Sequence, residues 1–201
     1  MELTLMASVV DICNSALNQI GASNIISLTE DSKAARICNQ RYEFIRDSVF
    51  RAHPWNALIT RRTLSPDATA PTFEFDNAFT LPTDPYCLRV ISLDFHDIIH
   101  RVEGRKILCN EDTLNLVYVG RVEDVNQYDM LLIESIAAAL AADLAYPLVG
   151  STSLAQEMRA VYQEKLKEAR FVDATEGTPA SITSVTDSGG IEADTFIRAR
   201  F

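Results

Sequence analysis

The spacing of apolar and polar residues divides the chain into helical stretches and one strand-like stretch. Apolar residues recur every three or four positions over four ranges, which predicts helices near residues 8–20, 32–52, 126–147 and 153–171. Residues 73–120 instead show short alternating, β-rich runs between turn residues, which predicts a small antiparallel β region. The predicted class is mainly α with a β insertion (α+β): an antiparallel bundle of about four helices, a small β region and an extended C-terminal tail.

The second helix has the clearest pattern. Its apolar positions alternate at spacings of three and four and share one face: Ala35, Cys38, Tyr42, Ile45 and Val49. Charged residues, among them Arg46 and Asp47, are expected mostly on other sides. Pro54 disfavours helical geometry at His53, so the helix should end near Ala52.

The only tryptophan of the chain, Trp55, follows this break directly. A large aromatic residue at a helix exit is well placed to fill the end of a bundle core, where its indole N–H needs one acceptor. The alternative is that it stacks on a ligand. We predict the packing role, and we assign structural roles to Trp55, Pro54 and the core-facing Tyr42.

Residues typical of helix ends refine the predicted boundaries. The predicted capping residues are Ser8 with Asp11, Asp31 or Ser32, and Ser153 with Gln156. Gly21 is expected to end the first helix, and Pro147 with Gly150 the third.

Beyond Val172 no sustained period remains. Residues 173–194 are rich in Ser, Thr, Gly, Ala and acidic residues, which predicts an extended tail after a domain of residues 1–172. The last six residues are different, being aromatic, aliphatic and basic: Phe196, Ile197, Arg198, Ala199, Arg200 and Phe201. The alternative is that these six residues are a frayed chain end without a binding role. We predict a docking peptide, whose apolar side chains enter grooves of a partner and whose arginines meet acidic residues there.

Composition limits the classes of partner. The 18 Lys and Arg against 28 Asp and Glu give a formal net charge of −10, which makes the chain a poor general binder of nucleic acid. Acidic walls would nevertheless suit a channel through which DNA slides. No apolar run is expected to approach the roughly 18–20 residues that span a membrane. The N-terminus lacks the basic start and long apolar region of a secretory signal.

Candidate catalytic and metal-binding residues are few. The cysteines are Cys13, Cys38, Cys87 and Cys109, without CxxC spacing, so we expect a reducing compartment, no disulfide and no zinc site. His96 and His100 are spaced as in a zinc motif, but strand-like flanks and the lack of a third ligand argue against a metal. His53 could act as a base, yet no nucleophile motif accompanies it. We therefore expect no catalytic residue and no cofactor.

Several motifs, in their order and spacing, point to a known family. They are Ile12-Cys13-Asn14-Ser15-Ala16-Leu17 with Ile20-Gly21, Ile26-Ser27-Leu28 with Ala34-Ala35, Arg51-Ala52-His53-Pro54-Trp55-Asn56-Ala57, Leu81-Pro82-Thr83-Asp84 with Cys87-Leu88-Arg89-Val90, and Ile197-Arg198-Ala199-Arg200. This set, with Tyr42, Arg61 and Leu64, resembles tail tubular protein A of short-tailed phages, a family of head-to-tail adaptors. Phe196 departs from the pattern, since relatives often have Trp there.

The resemblance implies a structural virion protein and no enzyme. It implies a homo-oligomeric ring of about twelve subunits that extends the portal protein, carries the tail nozzle protein and lets genomic DNA pass through its lumen, without membrane contact. The protein would be assembled in the host cytoplasm and reside in the tail of the virion. The alternative is a tail-associated hydrolase that degrades wall or polysaccharide, and a third possibility is a host-directed binding module. Mass in solution separates these classes, because a ring-former should show both monomer and large oligomer.

Overall fold

The computed structural model describes residues 7–93 and 98–176 of the 201-residue chain. Within these residues lie four α-helices: α1 (Val9–Gln19), α2 (Lys33–Ala52), α3 (Met130–Val149) and α4 (Thr152–Thr175). The strands between α2 and α3 are β1 (Ile59–Leu64), β2 (Asn77–Thr80), β3 (Cys87–Leu93), β4 (Arg101–Glu103), β5 (Lys106–Cys109) and β6 (Leu114–Gly120). The predicted α+β class, with a β insertion between helices, is confirmed.

Helix α3 lies at the centre of the bundle, because each of the other three helices packs against it. Twelve of its twenty residues are buried, and its alanines allow close approach of its neighbours. Among the described residues, α3 alone is long and apolar enough to cross a membrane, so the expectation of no such stretch was wrong. However, 61% of its apolar window is buried inside the protein, as in the core helix of a bundle.

The ends of α1 and α2 form as predicted. Ser8 and Asp11 make a reciprocal capping box, with the Asp11 carboxylate accepting from the Ser8 N–H at 2.9 Å. Gly21 has a φ of 68°, the left-handed conformation that commonly follows a helix end. Ser32 caps α2 by accepting from the N–H of Ala35 at 3.1 Å.

The end of α3 differs from the prediction. Pro147 lies inside the last turn instead of stopping the helix, which continues to Val149. A proline there removes one backbone hydrogen bond, and packing around α3 offsets this loss. The stop is Gly150, whose φ of 76° again lies in the left-handed region.

The starts of α3 and α4 are also displaced. Helix α3 begins at Met130 rather than near residue 126, because Asp129 supplies its N-cap. Helix α4 is capped by Ser151, so the predicted capping box of Ser153 and Gln156 was wrong. Two serines two positions apart offer the same capping chemistry, and the pattern alone did not choose between them.

The strands form two three-stranded antiparallel sheets, with strand orders β1-β6-β3 and β2-β5-β4. Strands β2 to β6 lie within the predicted β region of residues 73–120. Strand β1 was not predicted, and the β region therefore begins at Ile59 instead of residue 73. Strand β1 exists because it pairs along its whole length with β6, from Ile59 opposite Val119 to Leu64 opposite Leu114.

Two apolar cores stabilise these elements. The larger fills the helical bundle, and the smaller lies between the two sheets: Leu64, Phe79, Leu81, Cys87, Leu93, Ile107, Cys109, Leu114, Leu116 and Tyr118. On β6, Tyr118 belongs to the sheet core, while its neighbour Val119 belongs to the bundle core. Successive side chains of a strand point to opposite faces, so β6 joins the two cores.

The end of β6 contains a close approach that only glycine permits. A Cβ on Gly120 would lie 2.8 Å from Thr60 Oγ1 and 3.2 Å from Pro85 Cβ. We therefore expect Gly120→Ala to lower the free energy of unfolding by about 1–3 kcal/mol, as overpacking does. Urea denaturation followed by far-UV circular dichroism measures this change.

The control is Thr60→Ala, which removes the nearest clashing atom. The double variant should lose less stability than the sum of the two single variants, because the two sites are in contact. A Gly120→Ala protein as stable as the wild type would contradict this account of the β6 end.

Candidate functional site: the junction of helices and sheets

The exit of α2 is fixed by the tryptophan that follows it. Trp55 is only 2% exposed and belongs to the bundle core. Its indole Nε1 donates to the backbone oxygen of Val49 at 3.0 Å, which satisfies the N–H as the packing role requires. The His53 ring stands edge-on to it, with ring centroids 4.8 Å apart. Trp55 therefore seals one end of the bundle and offers little surface to a ligand.

The end of α4 is tied to the same exit by an aspartate. The Asp173 carboxylate lies 3.0 Å from His53 Nε2 and accepts from the backbone N–H of Asn56 at 3.0 Å. The Asn56 side chain in turn donates to the Asp173 backbone oxygen at 2.7 Å. Arg170, one turn earlier, donates to the backbone oxygen of Ala52 at 3.0 Å, at the negative end of the α2 dipole.

These contacts correct the predicted start of the tail. Asp173 was assigned to an extended tail beginning at residue 173, yet α4 continues to Thr175 and Asp173 anchors it. The sequence did not indicate this, because the partners of Asp173 lie 117 and 120 positions earlier in the chain. The last described turn of α4 therefore lies beside the α2 exit.

The β1-β6-β3 sheet is joined to the same region by two arginines. The Arg51 guanidinium donates to the backbone oxygen of Leu88 on β3. The Arg89 guanidinium donates in the opposite direction, to the backbone oxygen of Arg51 at 3.4 Å. Two of the stretches that carry the family resemblance, one at the α2 exit and one on β3, are thus in direct contact.

A buried ion pair underlies this junction. Arg46, expected on the polar side of α2, is only 6% exposed and lies 5.9 Å from the rings of Tyr42 and Phe50. Its Nε and Nη2 donate to Asp47 Oδ1 at 3.0 and 2.9 Å. The other Asp47 oxygen accepts from Arg121, just after β6. One carboxylate thus links α2 to the end of β6, and the helical pattern did not reveal it.

An open cleft of about 760 Å³ lies above this network, between α2, β3 and the β4–β5 hairpin. Arginines surround it: Arg51, Arg89, Arg105 and Arg121. The Arg105 and Arg121 guanidinium carbons lie 3.9 and 4.6 Å from the centroid of the Tyr86 ring. Asp47 is the only acidic residue among the described residues that line the cleft. We call this feature the arginine cleft.

Little in the described chain is arranged for catalysis. Among residues 7–93 and 98–176 no three His, Cys, Asp or Glu side chains are grouped to hold a metal ion. Burial raises the pKa of Cys87 and Cys109, and a hydrogen bond with Cys38 followed by burial raises that of Cys13. Thiols held protonated in this way are poor nucleophiles.

The core-facing Tyr42 lies in the described part of the chain, whereas the predicted docking peptide does not. Tyr42 is 4% exposed in the bundle core, where burial raises its pKa above the ordinary value. The docking peptide, Phe196, Ile197, Arg198, Arg200 and Phe201, lies outside the described residues, and so does His96. Their roles stay predictions.

No protein-family model matches this chain, and no curated protein is significantly similar to it in sequence.

We predict that Trp55→Ala lowers the free energy of unfolding by about 3–5 kcal/mol, as large-to-small core substitutions do. The exposed Phe171→Ala is the matched control, since Phe171 is 71% exposed and should change stability by less than about 0.5 kcal/mol. Because Trp55 is the only tryptophan, native emission should also be blue-shifted relative to the denatured chain. Equal melting temperatures for both variants, or emission at the solvated wavelength, would show that Trp55 is not core.

We predict that Asp173→Asn weakens the anchor of α4 and costs about 1–3 kcal/mol, because it removes the charge from two hydrogen bonds in a little-exposed site. Glu168→Gln is the control, an exposed change of the same charge on the same helix. Amide hydrogen exchange should accelerate in the last two turns of α4 in the first variant only. Unchanged exchange there would refute the anchoring role.

Proposed function

We propose that this protein is a head-to-tail adaptor of a short-tailed phage, a structural subunit of a ring that extends the portal protein. The ring would hold the tail nozzle protein and let the genome pass without sequence-specific binding. The subunit would act as a rigid joint, and its C-terminal segment would dock on the portal. No residue is assigned a catalytic role.

The observation that carries the proposal is the junction at the α2 exit. Residues 51–57 and residues 81–90 resemble adaptor motifs independently, and they contact each other through the Arg51–Leu88 and Arg89–Arg51 hydrogen bonds. A set of motifs that meets in a joint between helices and a sheet supports a mechanical role better than a catalytic one. The joint also holds the last turn of α4, the helix that precedes the C-terminal segment in the chain.

Surface apolar side chains are consistent with subunit contacts. Ile26 is 92% exposed, Tyr146 60% and Phe171 71%, and Phe171 lies on α4 close to the start of the tail. Single exposed apolar residues are ordinary, so they support the proposal only together with the junction.

The test compares attachment to the portal by full-length and truncated chains. Deleting residues 177–201 retains Asp173 and all of α4, so the melting temperature should change little while attachment weakens strongly. Each subunit of a ring supplies one docking segment, and loss of all of them removes the avidity of the assembly. The measurement is co-sedimentation with portal rings from the same phage.

Deleting residues 173–201 is the informative control, because it also removes the α4 anchor and should lower the melting temperature. The proposal fails if the 177–201 deletion co-sediments as well as the full chain does. It also fails if the full chain does not bind the portal but hydrolyses wall or capsule polysaccharide, which would favour the hydrolase alternative.

A further inference from the structure

We propose that the arginine cleft binds an acidic segment of a partner polypeptide. This inference is independent of the adaptor proposal, since it depends only on the charge and geometry of the cleft. Nothing in the motifs assigns a ligand to this place.

The cleft is positively charged although the chain as a whole is negatively charged. The chain carries a net charge of −10, yet the cleft brings together four arginines against one aspartate. Asp47 already binds Arg46 and Arg121, so it does not neutralise Arg51, Arg89 or Arg105. Positive residues concentrated in a recess of an acidic surface attract an anionic ligand to that recess.

One arginine of the cleft is preorganised, because it is held in place by the protein itself. Arg105 donates to the backbone oxygens of Cys87 at 3.2 Å, Leu81 at 3.3 Å and Pro82 at 2.7 Å. Its guanidinium also rests on the Tyr86 ring, which fixes its plane. A held guanidinium loses less conformational entropy when a carboxylate binds, and this raises affinity.

The network beside the cleft also shows which anion its arginines accept. Arg121 Nη2 donates to Asp47 Oδ2 at 2.5 Å, so one guanidinium of the cleft already binds a carboxylate. A second carboxylate, supplied by a partner, is therefore a chemically matched occupant.

The shape of the cleft favours a polypeptide over nucleic acid. Its volume of about 760 Å³ is that of a recess for a few side chains, and its edge carries the apolar Phe44 and Val102, which are 69% and 49% exposed. An acidic segment with an aromatic or aliphatic residue would bind the arginines through its carboxylates and pack its apolar side chain against this edge. The phosphates of a nucleic acid would use only the arginines and would meet the acidic remainder of the surface.

The test uses a fluorescein-labelled octapeptide with three glutamates and one phenylalanine, titrated with the full chain and followed by anisotropy. We expect saturable binding, and a matched peptide with three glutamines should not bind. Arg89→Gln should weaken the affinity for the acidic peptide about tenfold, because it removes one charge-assisted hydrogen bond. This variant should keep its fold, because the hydrogen bond from Arg51 to the Leu88 oxygen still joins α2 to β3.

Arg159→Gln is the control, because Arg159 is exposed on α4 and outside the cleft. The Arg89→Lys variant should recover part of the affinity, since it restores the charge but not the planar fork. The proposal is overturned if the acidic peptide does not bind the wild type, or if Arg159→Gln loses as much affinity as Arg89→Gln. Tighter binding of a tetranucleotide with three phosphates would also overturn it, in favour of a phosphate site.

Discussion

The structure depends on the way the chain leaves α2. At this point Trp55 closes the bundle core, and the carbonyl at the end of the helix accepts from Arg170 of α4. The next residues bind Asp173 through a side chain and a backbone N–H. Arg51, one residue before the helix end, reaches β3. Helix α2, helix α4 and a sheet are therefore positioned by one corner, and a change there affects all three.

The structure of this corner explains the role of each residue in the motif around His53-Pro54-Trp55. Pro54 ends the helix, and the backbone turns so that Trp55 points back into the bundle. The polar neighbours on either side of Trp55 bind the end of α4. The described end of α4 is thus held at a fixed position beside the α2 exit.

Much of the fold could be predicted from the sequence, because long apolar periods and glycine stops determine helices locally. What could not be predicted depends on distant residues. Strand β1 has one buried side chain, Leu64, and owes its existence to β6, 50 or more positions away. Arg46 follows the polar pattern of α2 but is buried, because Asp47 accepts both its hydrogen bonds and a third from Arg121, 74 positions on. The arginine cleft is assembled from α2, β3, the β4–β5 hairpin and the residue after β6, so no local pattern could show it.

We propose that the domain is a rigid subunit of a portal-extending ring. The most direct measurement is electron cryo-microscopy of the full-length chain mixed with portal rings of the same phage. We expect a closed ring of about twelve subunits beneath the portal, with an open lumen and continuous density from α4 toward the portal. Portal rings without added density, or single subunits bound at irregular positions, would contradict it.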